Sequence, residues 1–351
     1  MPGGSAVADS VVAASAVEVS VVVGFDVKRP LKRISMSHFI SNYKMLTFTL
    51  LVSLASCSKP VEPSKPSVEK VVPKNFASPS EAGAALLAAA RSGDRAALLE
   101  IFGPGGEELL FTGDAARDKA SLQDFVTAYT RMNRWGKIKA GGQTLYVGAD
   151  NYAFPIPLGQ NPSGQWYFDT AAGKDEILAR RIGQNELTAM AACQALAGAQ
   201  QQYFRQTHDG GRVKQYAQKF VSDPGKQNGL YWLAAEGRPS PLDELGDFGK
   251  SVASINGDRP PLFDGYNYRI LTKSHDLVNG KMTGGFTILA YPAEYRNSGI
   301  MTFVVGKDGL VYQKNLGEKT GEIALAMKEF NLADGWSPVV PHTGNALRAQ
   351  R

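Results

Sequence analysis

The chain has 351 residues, 43% of them hydrophobic and 20% charged, with a formal net charge of +5. That length accommodates two ordinary domains, and the composition is that of a globular protein rather than a disordered or collagenous one. Five of its 38 basic and three of its 33 acidic side chains lie in residues 1–57, which leaves 33 and 30. A balance that near neutral, without a basic run interleaved with aromatics, excludes nucleic acid as a partner.

Residues 1–35 are read as an unfolded leader or an over-extended start, with Met36 as the true beginning. Met45–Ser56, MLTFTLLVSLAS, is an apolar run too short to span a bilayer but of the length of a signal-peptide core. It ends in Leu54-Ala55-Ser56-Cys57, the pattern at which a bacterial peptidase cuts before a lipid-modified cysteine. Residues 36–57 are therefore expected to be a lipoprotein signal peptide, with a lipid on Cys57 as the contact to a membrane. Ser58, in place of Asp, favours the periplasmic face of the outer membrane. Residues 58–75, rich in Pro, Ser, Lys and Val, read as a tether. With Cys57 modified, Cys193 has no partner for an internal disulfide.

Residues 76–173 are expected to form a small α+β domain. Ser78-Pro79-Ser80-Glu81 has the spacing of a capping box opening a helix, and a second helix is predicted over Arg95–Phe102. Gly103-Pro104-Gly105-Gly106 lacks the Lys-Ser/Thr of a phosphate loop and reads as a turn. A third helix is predicted over Ser121–Asn133, then strands at Gln143–Val147, Tyr152–Ile156 and Gln165–Phe168.

Lys174–Thr207 organises the rest. It contains no proline, and Ile177, Leu178, Ile182, Leu187, Met190, Cys193, Leu196, Ala197, Tyr203 and Phe204 recur at helical spacing. One long helix is expected, laid on an antiparallel sheet made of Tyr266–Leu271, Gly285–Tyr291, Ile300–Val305 and Leu310–Gln313. Gly198 suggests close approach of another backbone. Tyr216–Val221 reads as a helical turn, 222–264 as a long connection, Glu318–Phe330 as a closing helix and 339–351 as a tail. The second domain is thus 174–338, and the fold class is α+β.

Candidate chemistry is sparse. His208, His275 and His342 show no metal-ligand spacing, so no metal and no cofactor are expected. His208 follows the long helix and suits a capping role there. Cys193 on the apolar stripe reads as a small buried hydrophobe. Asp169, Glu176, Arg180 and Arg181 read as a structural charge cluster where the domains meet. Lys226, Tyr231 and Trp232, on a Gly- and Pro-rich loop, are the candidate ligand contacts, against the reading that the two aromatics pin the loop to the sheet.

Several stretches together resemble an uncharacterised bacterial family, the domain of unknown function 2950 family. They are Trp166-Tyr167-Phe168-Asp169-Thr170-Ala171-Ala172-Gly173 with Glu176 to Glu186, Asp223 to Trp232, Gly265 to Leu271 and Gly299 to Val305. The likeness covers about residues 76 to 338. It implies an exported protein and no known catalytic residues. The stretch from Asn185 to Tyr203 and the strands after it also resemble the globular half of a type IV pilin or pseudopilin, without the membrane half of the helix. The function expected is a non-enzymatic binding or assembly module of the cell envelope, with an envelope protein as partner. The alternative is a hydrolase or transferase acting on envelope material where the two domains meet.

Overall fold

The computed structural model describes residues 73–139, 141–233, 239–255, 259–273 and 277–339. The leader, the signal-like segment with Cys57, the tether up to residue 72, His275 and the tail from residue 340 lie outside the described residues. The chain forms two compact units, one up to Ile177 and one from Leu178, each with its own core.

In the first unit, α1 (Pro79–Ser92) starts as its sequence requires. The Ser78 hydroxyl accepts from the Glu81 N–H at 3.2 Å, and the Glu81 carboxylate accepts from the Ala77 N–H at 2.8 Å. Asp94 caps α2 (Arg95–Phe102), and Gly103 at φ 71 ends it. The glycine-rich turn leads directly into a short α3 (Gly106–Leu110) that the apolar pattern does not announce. The next helix, α4 (Ala115–Arg131), begins six residues before the expected Ser121. Asp114 accepts from the N–H groups of Ala116 and Arg117 and moves the start there.

The strands are β1 (Asn133–Lys137), β2 (Gln143–Val147), β3 (Tyr152–Ala153), β4 (Leu158–Gln160) and β5 (Trp166–Phe168). They form an antiparallel sheet in the order β1-β2-β4-β5, with β3 also on β2. Neither β1 nor β4 is visible in the apolar pattern: β1 is an edge strand reading Asn-Arg-Trp-Gly-Lys, largely solvated, and β4 is three residues long. Phe102, Phe125, Phe154 and Phe168 meet in the core, with ring centroids as close as 4.8 Å.

The long helix, α5, runs unbroken over Thr170–Phe204. It starts four residues before the expected Lys174. Asp169 accepts from the Ala172 N–H at 3.0 Å, and the Thr170 hydroxyl donates to the Phe102 carbonyl at 2.6 Å. Asp175 and Glu176 are therefore not in its first turn. Gly173 lies against Ile156, where a Cβ would come within 2.7 Å of a side-chain carbon. The first unit ends within this helix, at Ile177.

In the second unit, α6 (Gly246–Ala253) and β6 (Leu262–Phe263) structure a connection that reads as irregular in sequence. There follow β7 (Tyr266–Ile270), a small hairpin of β8 (Leu277–Val278) and β9 (Lys281–Met282), β10 (Thr287–Pro292), β11 (Thr302–Gly306) and β12 (Val311–Lys314). Next come α7 (Thr320–Ala326) and β13 (Ser337–Pro338). The main sheet is antiparallel in the order β13-β12-β11-β10-β7-β6. All six residues of β10 are buried because both faces are covered. Ile288 and Ala290 join Ala189, Cys193 and Leu196 of α5, while Leu289 and Tyr291 join Ala324 and Trp336. The fold is α+β, with the long helix on an antiparallel sheet. Among the described residues no helix is long and apolar enough to cross a membrane.

Four expectations need correction. Leu187, on the apolar stripe, is 52% exposed. Gly198 is exposed, and nothing stands within 4 Å of a Cβ built on it, so no backbone approaches there. Tyr216–Val221 is not helical: Tyr216 bridges Met282 and Val221 bridges Tyr231 as extended chain. The closing helix stops at Ala326 because Met327 turns extended, at ψ 123, and Phe330 instead packs its ring on Trp336 at 5.5 Å.

Candidate functional site

Two places on the second unit gather the polar side chains of the distinctive stretches. At the first, α5 holds the 294–301 loop. Glu186 Oε1 accepts from the backbone N–H groups of Ile300 and Met301, both at 2.9 Å. Asn185 Nδ2 donates to the Ser298 carbonyl at 2.8 Å, and the Tyr266 hydroxyl donates to the Met301 carbonyl at 2.8 Å. Two glycines make room. A Cβ on Gly265, which sits at φ 76, would come within 2.7 Å of Asn185 Nδ2, and one on Gly299 within 2.2 Å of the Tyr266 oxygen. Arg181 Nη2 donates to Asn297 Oδ1 at 2.5 Å. This cluster is a clamp: its carboxylate and hydroxyl are spent on backbone groups.

The second place is the C-terminal end of α5. His208 is buried and its Nε2 donates to the Tyr203 carbonyl at 2.8 Å, which caps the last turn as the sequence suggests. The two rings stack at 3.8 Å and 11°. The Tyr203 hydroxyl donates to the Gln227 carbonyl at 2.8 Å, and Asp209 accepts from the Gln227 N–H at 2.8 Å. Burial and the nearby Asp209 carboxylate both push the Tyr203 hydroxyl above its ordinary pKa. Gln200, fully buried, exchanges two hydrogen bonds of 2.9 Å with the backbone of Ala217. That side chain was not picked out from sequence. The signal was present: Leu196, Gln200 and Tyr203 lie on one face at spacings of four and three.

The loop after it is built on Asp223-Pro224-Gly225-Lys226. The Lys226 N–H donates to the Asp223 carbonyl at 3.0 Å, and Gly225 takes φ 72, as a type II turn with Pro second and Gly third demands. Asp223 accepts from Lys219 and, at 2.8 Å, from Asn228 Nδ2. The Lys219 hydrogen bond, then that of Asn228, holds its carboxyl below the usual range. A cleft of about 260 Å³ opens beside these groups, lined by Tyr203, Gln215, Tyr216, Gln218, Lys219 and Asn228. A second cleft, about 390 Å³, runs along α5 past Ala195, Gly198 and Ala199 to Pro241 and Leu245.

The candidate residues from sequence fall as follows. Lys226 is exposed, 3.8 Å from Asp223. Tyr231 is half-buried and exchanges backbone hydrogen bonds with Phe220 and Ser222. Trp232 is half-buried against the core, its ring 6.5 Å from Tyr203 and 5.9 Å from His208. None of the three lines the 260 Å³ cleft, although all border the same loop. Asp169 caps α5, and Arg181 belongs to the clamp, its Nε buried without a partner among the described residues. Glu176 is exposed and Arg180 half-buried on α5. Cys193 is fully buried, its thiol pushed up to about 12 by that burial. Among the described residues no three of His, Cys, Asp and Glu gather as metal ligands do.

Over residues 73–339 the chain matches the family model described as Protein of unknown function (DUF2950). No curated protein matches it, and no solved structure does.

Proposed function

The chain belongs to the DUF2950 family, and we propose that it is an exported lipoprotein whose second unit is a binding module. The lipid sits on Cys57, and residues 58–75 tether the folded part near the periplasmic face of the outer membrane. Binding takes place in the cleft at the end of α5, where the Lys219 amine and the side-chain amides of Gln215, Gln218 and Asn228 border two tyrosine rings. Such a lining suits a polar, hydrogen-bonding segment of an envelope partner.

One contrast carries the binding reading over an enzymatic one. The groups with catalytic character are taken up by the fold: His208 by burial and, through Nε2, by a helix carbonyl, Glu186 by two backbone N–H groups, Cys193 by burial. The polar side chains of the cleft also have partners, Asp223 for Lys219 and Asn228 and the Gly280 carbonyl for Gln218, but they lie at an opening rather than inside a core. The helix-over-sheet unit then serves as a platform rather than as a filament subunit.

Two measurements test this. Labelled palmitate is incorporated by the wild-type chain and not by Cys57→Ser; equal labelling refutes the anchor. A photo-crosslinker placed at Gln218 captures a discrete envelope partner, and the adduct is lost in Asn228→Ala. An adduct indifferent to Asn228→Ala and Lys219→Ala refutes the cleft.

A further inference from the structure

The β8–β9 hairpin has a covered inner strand and an exposed outer one. Asn279 and Gly280 take φ 52 and 75, the two positive values of a type I′ turn. On the inner strand β9 Met282 is fully buried, its carbonyl accepting from the Tyr216 N–H at 2.8 Å, and at the turn Gln218 Nε2 donates to the Gly280 carbonyl at 2.7 Å. The hairpin is thereby fixed against the extended segment that holds Tyr216. On the outer strand β8, Leu277, opposite Met282, and Val278, opposite Lys281, are 45% and 55% exposed. Val213, on the neighbouring segment, is 47% exposed.

Cations surround these aliphatic groups. Arg212 and Lys214 flank Val213 and are exposed, and the Lys281 ammonium reaches back to Gly211. Among the described residues the nearby carboxylates are Asp209, bonded to the Gln227 N–H, and Asp223, bonded to Lys219 and Asn228; Asp276, next to Leu277 in sequence, lies outside them. We propose that this hairpin and the 212–214 segment dock on the surface of an anionic lipid bilayer. Leu277 and Val278 seat at the headgroup boundary while Arg212, Lys214 and Lys281 meet the phosphates. A soluble polyanion would engage the cations and leave the aliphatic side chains of β8 in water; a bilayer surface satisfies both. The inference relies on the anchored reading only for a bilayer within reach, not for the binding chemistry.

The test uses the chain from Cys57 onward carrying Cys57→Ser, so that no acyl chain contributes. It is sedimented with vesicles of phosphatidylglycerol plus phosphatidylcholine, and with phosphatidylcholine alone. The chain goes down with the anionic vesicles only, and added salt releases it. The pairs Leu277→Ser/Val278→Ser and Arg212→Glu/Lys214→Glu each weaken binding by at least about fivefold, with melting unchanged because these four sites are exposed. No binding to anionic vesicles, equal binding to both kinds, or either pair binding like the parent overturns the proposal. Full competition by heparin together with undiminished binding of the serine pair assigns the surface to a charged polymer and also overturns it. Palmitate incorporation at Cys57 is read separately, so the anchor and the hairpin fail independently.

Discussion

At Asn185 and Glu186, α5 grips the 297–301 loop through side chains that end on backbone groups, with glycines where any Cβ would collide. At Tyr203, further along the same helix, a ring stacked on a histidine lies beside an open cleft bordered by Lys219 and Asn228, both bonded to Asp223. Both regions coincide with stretches that make the sequence recognisable, yet their physical demands differ. The clamp tolerates few residues because geometry forbids the others. The loop is distinctive partly for the same reason, since Gly229 abuts the Val221 backbone and Gly225 needs a positive φ. A recognisable motif can therefore mark a fold constraint rather than a ligand contact.

The largest expected effect removes both regions together. Leu196→Asp places an unpaired charge at a fully buried position in the core shared by α5 and the sheet, at a cost above about 4 kcal/mol. Circular dichroism should show the second unit's helix and sheet signal lost; a folded Leu196→Asp chain would contradict the packing described. Next is the clamp alone. Gly299→Ala forces a methyl to within 2.2 Å of the Tyr266 oxygen, breaks the bond to Met301, and should cost about 2–4 kcal/mol, measured by urea denaturation. The smallest effect is in the cleft. Lys219→Ala should leave the melting temperature nearly unchanged while the Asp223 carboxyl, freed of its main partner, titrates closer to the ordinary range. The sign follows from the depressed folded-state pKa. Asp223 contributes stability above its unfolded pKa and loses it as pH falls through the folded value. A carbon-detected NMR titration that finds Asp223 unmoved by Lys219→Ala would undo that account.

Much of this architecture is legible in the sequence because periodicity reports burial directly. Cys193, Leu196 and Ala197 face the core as their spacing implies, and Phe286, Ile288 and Ala290 alternate with Leu289 and Tyr291 between two cores. Boundaries set by caps are less legible. Asp114 and Asp169 start α4 and α5 earlier than the apolar pattern does, because a side-chain oxygen meeting free N–H groups leaves no hydrophobic trace. Gly198 shows the limit of composition: a helical glycine suggests close packing, but here it borders an open groove. The cleft was legible only in part. Lys226, Tyr231 and Trp232 lie on the loop that borders the cleft, whereas Lys219 and Asn228, which line it, are ordinary polar residues until Asp223 brings them together.

The central claim is that the clamp stabilises the second unit and the cleft does not. In a chain carrying Cys57→Ser, Cys193 is the sole thiol, and its burial makes alkylation report opening of that unit. Glu186→Ala leaves the Ile300 and Met301 N–H groups without their acceptor, a loss of about 2–3 kcal/mol. Alkylation of Cys193 in native buffer should then accelerate about 30-fold or more, while Lys219→Ala reacts at the parent's rate. Equal rates for Glu186→Ala and the parent, or a faster reaction in Lys219→Ala than in Glu186→Ala, would contradict the account.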